Sequence, residues 1–233
     1  EWFIADMAIM TAGAIAVPTY TTNTALNHLH ILNDSGSTVA IVSTPELAKR
    51  LIMAASEADQ KVTIYVMDEP EKTMPSDVTT LPWSDLMAAG AGQTEPPTEM
   101  NTLKRDDVCA LIYTSGTGGL PRGVMLTHGN ILCNCMGATG IIETLGIGDE
   151  VFLSFLPLSH AYEHCGGQFF PLSLGAQIYY AERVETLTTN LTEARPTVMT
   201  AVPRLYESMR QRILSSLKSQ SKVRQKLFNL ALR

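Results

Sequence analysis

The residue types that could do chemistry are concentrated in residues 113–124, Tyr-Thr-Ser-Gly-Thr-Gly-Gly-Leu-Pro-Arg-Gly-Val. The four glycines permit positive φ and let successive amide N–H groups approach an anion closely. Hydroxyl side chains add donors, and the arginine adds a permanent charge with a forked donor geometry. This composition predicts a loop that binds polyphosphate, which we call the phosphate loop (residues 114–123). Its candidate nucleotide-binding residues are Thr114, Ser115, Gly116, Thr117, Gly118, Gly119, Pro121, Arg122 and Gly123.

The flanks of this loop predict the order strand, phosphate loop, helix. Residues 108–113 form a short apolar run typical of a buried strand, and residues 127–131 can start a helix. The loop is not a Walker A motif. Counted from Gly116, Pro121 stands where the second glycine belongs, and counted from Gly118, Val124 replaces the lysine. An ordinary surface loop is the alternative interpretation of a Gly/Ser/Thr run.

The loop resembles the Thr-Ser-Gly-Thr-Thr-Gly-x-Pro-Lys-Gly signature of the adenylate-forming superfamily, which includes acyl-CoA synthetases, luciferases and adenylation domains of peptide synthetases. Gly118 stands in place of the second threonine and Arg122 in place of the lysine. Arginine keeps the charge but changes its shape. Four further segments are similar to bacterial long-chain fatty acyl-CoA synthetases, namely residues 1–20, 30–36, 155–163 and 200–207.

Residues 160–164, His-Ala-Tyr-Glu-His, match the His-x-x-Glu-His pattern of inverted zinc peptidases. Pro157 and Ser159 place His160 at a corner between a strand and a helix rather than within a helix, which argues against zinc hydrolysis. In the family that the chain resembles, the corresponding histidine borders the acyl and adenylate pockets and orients the substrate carboxylate. The resemblance therefore implies that His160 is the catalytic residue. The alternative is a helix-capping or buried structural histidine.

The resemblance implies a two-step reaction that uses ATP, Mg²⁺ and CoA. A fatty acid carboxylate attacks the α-phosphorus of ATP to give acyl-AMP, and the CoA thiol then attacks the acyl carbon. Thr114 or Thr117 would approach Mg²⁺. We expect the chain to be a fragment of a longer synthetase and inactive alone, because the family's later acidic motif and its C-terminal lysine are missing. The alternatives are a ligase for short-chain or aromatic acids, or a nucleotide-binding module without chemistry.

The elements that must position these residues follow an α/β pattern. Strands alternating with helices predict layered, mainly parallel sheets covered by helices, as in the large N-terminal domain of an adenylate-forming enzyme. We expect strands at 14–18, 38–42, 62–67, 108–113, 151–155, 176–180 and 197–201, and helices at 2–13, 24–33, 45–58, 83–89, 130–144 and from about 162. The Pro-rich stretch 68–102 would connect two subdomains, 1–104 and 105–233.

The charge distribution and the cysteines indicate which surface contacts and which redox compartment to expect. Residues 204–233 carry eight Lys/Arg against one acid, whereas residues 1–203 carry nine against 22. Apolar residues recur at helical spacing within residues 204–233, which predicts a basic amphipathic helix or helix pair. Its stripe would face the core, with peripheral contact to an anionic membrane as the alternative. Four cysteines without a Cys-x-x-Cys pair favour a reduced cytoplasmic protein. We expect no nucleic-acid partner and leave a homodimer open.

Overall fold

The computed structural model describes residues 1–68, 77–114, 120–144, 148–218 and 220–231. Its first helix, α1 (Trp2–Thr11), is followed by a parallel sheet in the order β1-β2-β3. The strands are β1 (Val39–Val42), β2 (Thr63–Val66) and β3 (Thr79–Pro82), with helices α2 (Ala25–Ser35), α3 (Pro45–Ala55) and α4 (Trp83–Gly90). Ile64 and Val66 are fully buried with Ala48 and Ala54, so α3 packs on this sheet.

Helix α2 has well-defined ends. The Thr24 side chain accepts a hydrogen bond from the Asn27 amide, and the Asn27 side chain accepts one from the Thr24 amide. This reciprocal pair satisfies amides that would otherwise be unpaired at the helix start. Gly36 ends the helix at φ 66°, a left-handed conformation that favours glycine. The helix is therefore fixed at both ends, and its own residues Ile31 and Leu32 are buried.

A hairpin and a second parallel sheet make up the later part of the chain. Strands β4 (Val108–Thr114) and β5 (Arg122–Thr127) pair antiparallel and lead into α5 (His128–Thr144). The second sheet has the order β7-β6-β8, with β6 (Val151–Ser154), β7 (Gln177–Tyr180) and β8 (Val198–Met199) all parallel. Between β6 and β7 lie α6 (Ala161–Glu163), a π-helical segment (His164–Phe169) and α7 (Phe170–Ser173); α8 (Leu187–Ala194), α9 (Pro203–Lys218) and α10 (Lys222–Ala231) complete the order.

The prediction of mainly parallel sheets flanked by helices is confirmed, but several elements were predicted wrongly. The order strand, loop, helix is wrong, because β5 intervenes between the phosphate loop and α5. The strand expected at 14–18 is reduced to a bridge between Ala16 and Ala110, a residue of β4. Strand β3, the short 3₁₀ turn Thr98–Asn101 and helix α8 were not predicted.

The core that supports the later sheet also includes the start of the chain. Met10 and Ala16 are buried against Cys109, Phe152 and Phe170. The amide of Ala16 donates to the Cys109 carbonyl at 2.9 Å, and the Leu111 amide donates to the Ala16 carbonyl at 2.8 Å. Residues from both predicted subdomains therefore share one hydrophobic cluster, while the division at 104/105 stays a prediction.

Candidate nucleotide and carboxylate site

The two ends of the phosphate loop are held side by side by the β4–β5 hairpin. Thr114 at the end of β4 pairs in register with Arg122 at the start of β5, and both side chains are exposed. The Arg122 side chain has no hydrogen bond or ion pair with any residue in the described ranges. Five of the predicted binding residues, Ser115, Gly116, Thr117, Gly118 and Gly119, lie outside the described residues.

Gly123 does not use the positive φ that glycine permits, because it lies within β5 opposite Tyr113. A different constraint selects glycine here. A Cβ at this position would lie 3.1 Å from Cζ of Tyr113, closer than ordinary van der Waals contact. The absence of a side chain on Gly123 therefore lets the Tyr113 ring lie across the neighbouring strand.

A cavity of about 410 Å³ opens between α2 and the loop's C-terminal flank. Its walls come from His30, Asp34, Leu120, Pro121, Arg122 and Gly123. The Tyr113 hydroxyl donates to Oδ2 of Asp34 at 2.6 Å beside it. Burial and this contact with Asp34 raise the pKa of Tyr113, so the phenol stays protonated and remains a donor. The Arg122 side chain and polar groups of α2 therefore line the same cavity.

His160 caps the helix that follows β6, as the corner prediction required. Its Nδ1 accepts a hydrogen bond from the Tyr162 amide at 3.2 Å, and its own amide donates to the Pro157 carbonyl at 2.9 Å. A neutral imidazole that accepts at Nδ1 carries its proton on Nε2. His160 is exposed, so this Nε2–H is available to donate to a carboxylate. The capping interpretation is therefore correct, and it leaves the second nitrogen free to bind a substrate.

Glu163, which sequence reasoning considered only as a zinc-site base, is a fully buried carboxylate with three donors. Oε1 accepts from the Ser154 hydroxyl at 2.6 Å and from the Phe155 amide at 3.1 Å. Oε2 accepts from the Thr200 hydroxyl. Ser154 ends β6 and Thr200 follows β8, so the carboxylate ties the first turn after His160 to the carboxyl ends of two strands.

His164 belongs to another buried cluster, which joins α1 to the π-helical segment. Its Nε2 lies 2.9 Å from Oδ2 of Asp6, and the Gln168 amide donates to the same oxygen at 3.2 Å. Trp2 and Phe169 meet the His164 ring edge-on, at centroid distances of 6.1 and 5.0 Å. The three side chains of the His-x-x-Glu-His motif therefore have separate partners and do not converge on one point, which argues against a zinc site.

Sequence reasoning missed Asp6, Glu163, His164 and Gln168 as structural polar residues. All four are buried, with exposed fractions of 4% or less. The spacing of His164 and Gln168, one helical turn apart, was an available signal that the two share a face. The contact with Asp6 spans 158 positions along the chain, and no local pattern could have predicted it.

The predicted magnesium contacts receive little support from the described residues. Magnesium prefers several oxygen ligands in near-octahedral geometry. Thr114 offers one exposed hydroxyl, and Thr117 lies outside the described ranges. Within those ranges, no group of three or more His, Cys, Asp or Glu side chains is placed to hold a metal ion. The described residues therefore do not form a magnesium site by themselves.

A second cavity, a groove of about 650 Å³, lies between α8 and α9. It is lined mainly by apolar residues, including Leu187, Leu191, Val202, Leu205, Met209 and Ile213. The predicted core-facing stripe is thus only partly buried. Leu205 is buried, whereas Ile213 and, on α10, Val223, Leu227 and Leu230 are 50–69% exposed. Of the two alternatives, a single helix or a helix pair, the structure has the pair, α9 and α10.

Among the helices in the described ranges, none is long and apolar enough to cross a bilayer. All four cysteines are free thiols. Cys133 is exposed, Cys109 and Cys135 are buried, and Cys165 is partly exposed.

Comparisons with known proteins place this chain in a family. Residues 1–230 match the model of the AMP-binding enzyme family. The chain is 29% identical over 245 residues to the peroxisomal long chain acyl-CoA synthetase 7 of Arabidopsis thaliana, covering 99% of this chain and 33% of that protein. It is 30% identical over 242 residues to a long-chain-fatty-acid–CoA ligase of Gallus gallus, covering 99% and 31%. The chain thus spans about a third of the length of these relatives.

A comparison with solved structures gives a consistent result for the fold. An o-succinylbenzoate CoA synthetase of Bacillus subtilis, solved with its acyl-adenylate intermediate, matches with a TM-score of 0.64 and 24% identity, covering 90% of this chain and 48% of that one. At that identity the match supports the α/β fold alone. The family match extends over nearly the whole chain, and we conclude that the chain belongs to the AMP-binding enzyme family.

Proposed function

We propose that this chain contributes the nucleotide- and acyl-binding part of an AMP-forming long-chain fatty acid–CoA ligase. The observation that carries the proposal is the exposed Arg122, which lines the cavity beside the phosphate loop and has no hydrogen bond or ion pair with the described residues. A solvated arginine of this kind is suited to bind phosphate oxygens through its planar fork of donors. The long-chain relatives support fatty acids as the substrate class.

The proposed mechanism divides the work between two places. Arg122 and the amides of the phosphate loop would neutralise the β- and γ-phosphates, and His160 would donate from Nε2 to the fatty acid carboxylate. Holding both reactants in place lowers the barrier by positioning and by stabilising charge. Thr114 and Thr117 stay proposed contacts for Mg²⁺, and ATP and CoA are the proposed co-substrates. The described residues do not complete a site for the metal.

Two alternative functions are less specific than this proposal. One differs in the acid that is activated, and the other involves no chemical reaction. A ligase for another carboxylic acid would keep the phosphate loop and change only the acyl pocket. A nucleotide-binding module would bind ATP without activating any acid. The proposed location is the cytoplasm, with peripheral contact at the inner membrane face through α9 and α10.

The binding half of this proposal is tested by titrating the 233-residue chain with ATP and with pyrophosphate in a calorimeter. We expect Arg122→Gln to weaken both about tenfold or more, because one charge-assisted contact is lost. Arg210→Gln is the matched control, since it removes an exposed arginine on α9, away from the loop. Equal binding by the wild-type chain and Arg122→Gln would overturn the assignment of Arg122.

The ligase half is tested in the complete reading frame by fatty-acid-dependent release of pyrophosphate. We expect His160→Ala to raise KM for the fatty acid and lower kcat, because a donor to the carboxylate is lost. His160→Asn is the informative partner, since asparagine is also a favourable N-cap but lacks the imidazole. A His160→Ala enzyme with unchanged kinetics would contradict the role of His160. Pyrophosphate release with a short or aromatic acid alone would favour the alternative ligase.

A further inference from the structure

We propose that α2 is a brace for the phosphate loop, and that His30 and Asp34 are positioning residues for ATP. The inference deepens the proposed function, because it depends on residues 114–123 binding polyphosphate. His30 and Asp34 lie four positions apart, on the same face of one helix. Each contacts a residue at a different flank of the loop. One helix face therefore fixes where the loop leaves β4 and where it enters β5.

The first contact is at the N-terminal flank. The Tyr113 hydroxyl, one residue before Thr114, donates to Oδ2 of Asp34 at 2.6 Å. A short hydrogen bond to a carboxylate is among the stronger kinds found in proteins. The Tyr113 ring can reach across the hairpin only because Gly123, its cross-strand partner, has no Cβ. Gly123 thus serves the brace rather than the turn.

The second contact is at the C-terminal flank. Nε2 of His30 lies 2.7 Å from the Pro121 carbonyl oxygen, so this nitrogen carries a proton and donates to it. Proline has no amide N–H, and its carbonyl is the remaining backbone group by which the position can be held. The His30 ring also meets the Tyr113 ring edge-on, with centroids 6.1 Å apart and planes at 87°. The two contacts are therefore joined into one cluster.

The brace can act because α2 is itself rigid. Its N-terminus is capped by Thr24 and Asn27, and the Gln60 side chain donates to the Leu32 carbonyl at 2.8 Å. Arg50 on α3 donates to the carbonyls of Thr21 and Asn23, which precede α2. Loop ends that are fixed before the ligand arrives do not lose conformational entropy on binding. We therefore expect the brace to contribute to affinity for polyphosphate more than to folding.

The structure separates these two effects. Asp34 is exposed, so water can hydrate its carboxylate when the tyrosine hydroxyl is removed, and the cost to folding is small. Tyr113→Phe keeps the ring against His30 and deletes only the donor. A merely structural contact would change the free energy of unfolding and leave ATP affinity alone, whereas a brace would do the reverse.

The experiment measures ATP and pyrophosphate affinity of the chain together with its urea unfolding. We expect Tyr113→Phe and Asp34→Ala each to weaken ATP binding about tenfold, which corresponds to the loss of one hydrogen bond to a charged group. The double variant should be no worse than either single one, because both remove the same contact. Tyr65→Phe on β2 is the matched control and should leave both affinities unchanged.

Hydrogen exchange gives a second measurement. In Tyr113→Phe and His30→Ala, the amides of Thr114, Arg122 and Gly123 should exchange faster while those of β1, β2 and β6 keep their rates. Faster exchange throughout the chain would indicate a general folding role and overturn the brace. Unchanged ATP affinity in the single variants of Tyr113, Asp34 and His30, with Arg122→Gln still impaired, would also overturn it and leave the proposed function standing. A wild-type chain that binds neither ATP nor pyrophosphate would overturn both.

Discussion

The carboxylate of Glu163 occupies the space that a side chain on Gly167 would need. A Cβ built on Gly167 would lie 2.5 Å from Cδ of Glu163 and closer still to its Oε1. The two residues are one helical turn apart, across the change from α6 to the π-helical segment. Since the carboxylate is held by Ser154, Phe155 and Thr200, it cannot move aside without losing hydrogen bonds.

Gly167→Ala should therefore destabilise the chain, although alanine is the better helix former. We expect a loss of roughly 1–3 kcal/mol in the free energy of unfolding, typical of overpacking in a filled core. Gly137→Ala on α5 is the matched control, since its Cβ would meet nothing within 4 Å. That change should stabilise by roughly 0.5–1 kcal/mol. Urea unfolding measures both, and equal effects of the two substitutions would contradict the steric argument.

Replacing Glu163 itself should separate its acceptor role from its volume. In Glu163→Gln the amide oxygen can still accept from Ser154 and Phe155, and the Thr200 hydroxyl can turn to accept from the new NH₂ group. Glu163→Ala leaves all three donors unsatisfied in a buried site, so we expect a loss of roughly 3–5 kcal/mol or failure to fold, and a clearly smaller loss for glutamine. A glutamine variant as unstable as the alanine one would show that the negative charge is required.

These contacts show what the sequence could predict and what it could not. Apolar periodicity was enough for α2, α3, α5 and the strands β1, β2, β4, β6 and β7, because burial of one face or both faces dictates those patterns. Strand β5 was missed since Gly123 and the exposed Val124 and Met125 do not alternate as a half-buried strand should. Its reason for forming is the pairing with β4, which is a tertiary property.

The candidate site likewise has features that the sequence could predict and features that it could not. The corner at His160 followed from Pro157 and Ser159, which restrict the local backbone. The environment of Glu163 depends on Ser154 and Thr200, which reach it from two separate strands. Likewise Asp34 and Tyr113 are 79 positions apart. Such contacts are set by how the sheets and helices assemble, so only the fold reveals them.

Thiol reactivity should follow burial. Burial raises the pKa of Cys109 to about 11, and burial together with the neighbouring Cys135 raises that of Cys165 to about 12, from an ordinary value of 9.0. Only the thiolate is nucleophilic. At pH 7.5 we therefore expect Ellman's reagent to modify the exposed Cys133 quickly and the other three only after unfolding. Cys133→Ser should remove the fast phase, and a second fast thiol in that variant would contradict the prediction.

The same pKa shifts give a sign for the pH dependence of stability. A thiol whose pKa is raised by folding favours the folded state while it is protonated, and the unfolded chain ionises first as pH rises. The contribution of Cys109 and Cys165 is thus complete below about pH 9 and is lost as pH approaches 11–12. The midpoint of urea unfolding should fall between pH 8.5 and 10.5, and less steeply in Cys109→Ala than in wild type. Parallel pH profiles of the two proteins would contradict this.

The exposed face of α10 should bind anionic membranes if the proposed peripheral contact is correct. Val223, Leu227 and Leu230 are spaced on one face and are 61–69% exposed, with Lys222 and Arg224 beside them. Apolar burial combined with roughly 1 kcal/mol per basic residue near an anionic surface should give measurable binding to phosphatidylserine-containing vesicles. Binding should weaken as salt rises, and it should be absent with phosphatidylcholine alone.

Leu227→Asp should abolish co-sedimentation with these vesicles, whereas Leu26→Asp, at an exposed apolar position on α2, should not. Equal sedimentation of both variants would mean that α10 does not contact the lipid, and the core-facing interpretation of its stripe would then be favoured, with another protein segment covering it.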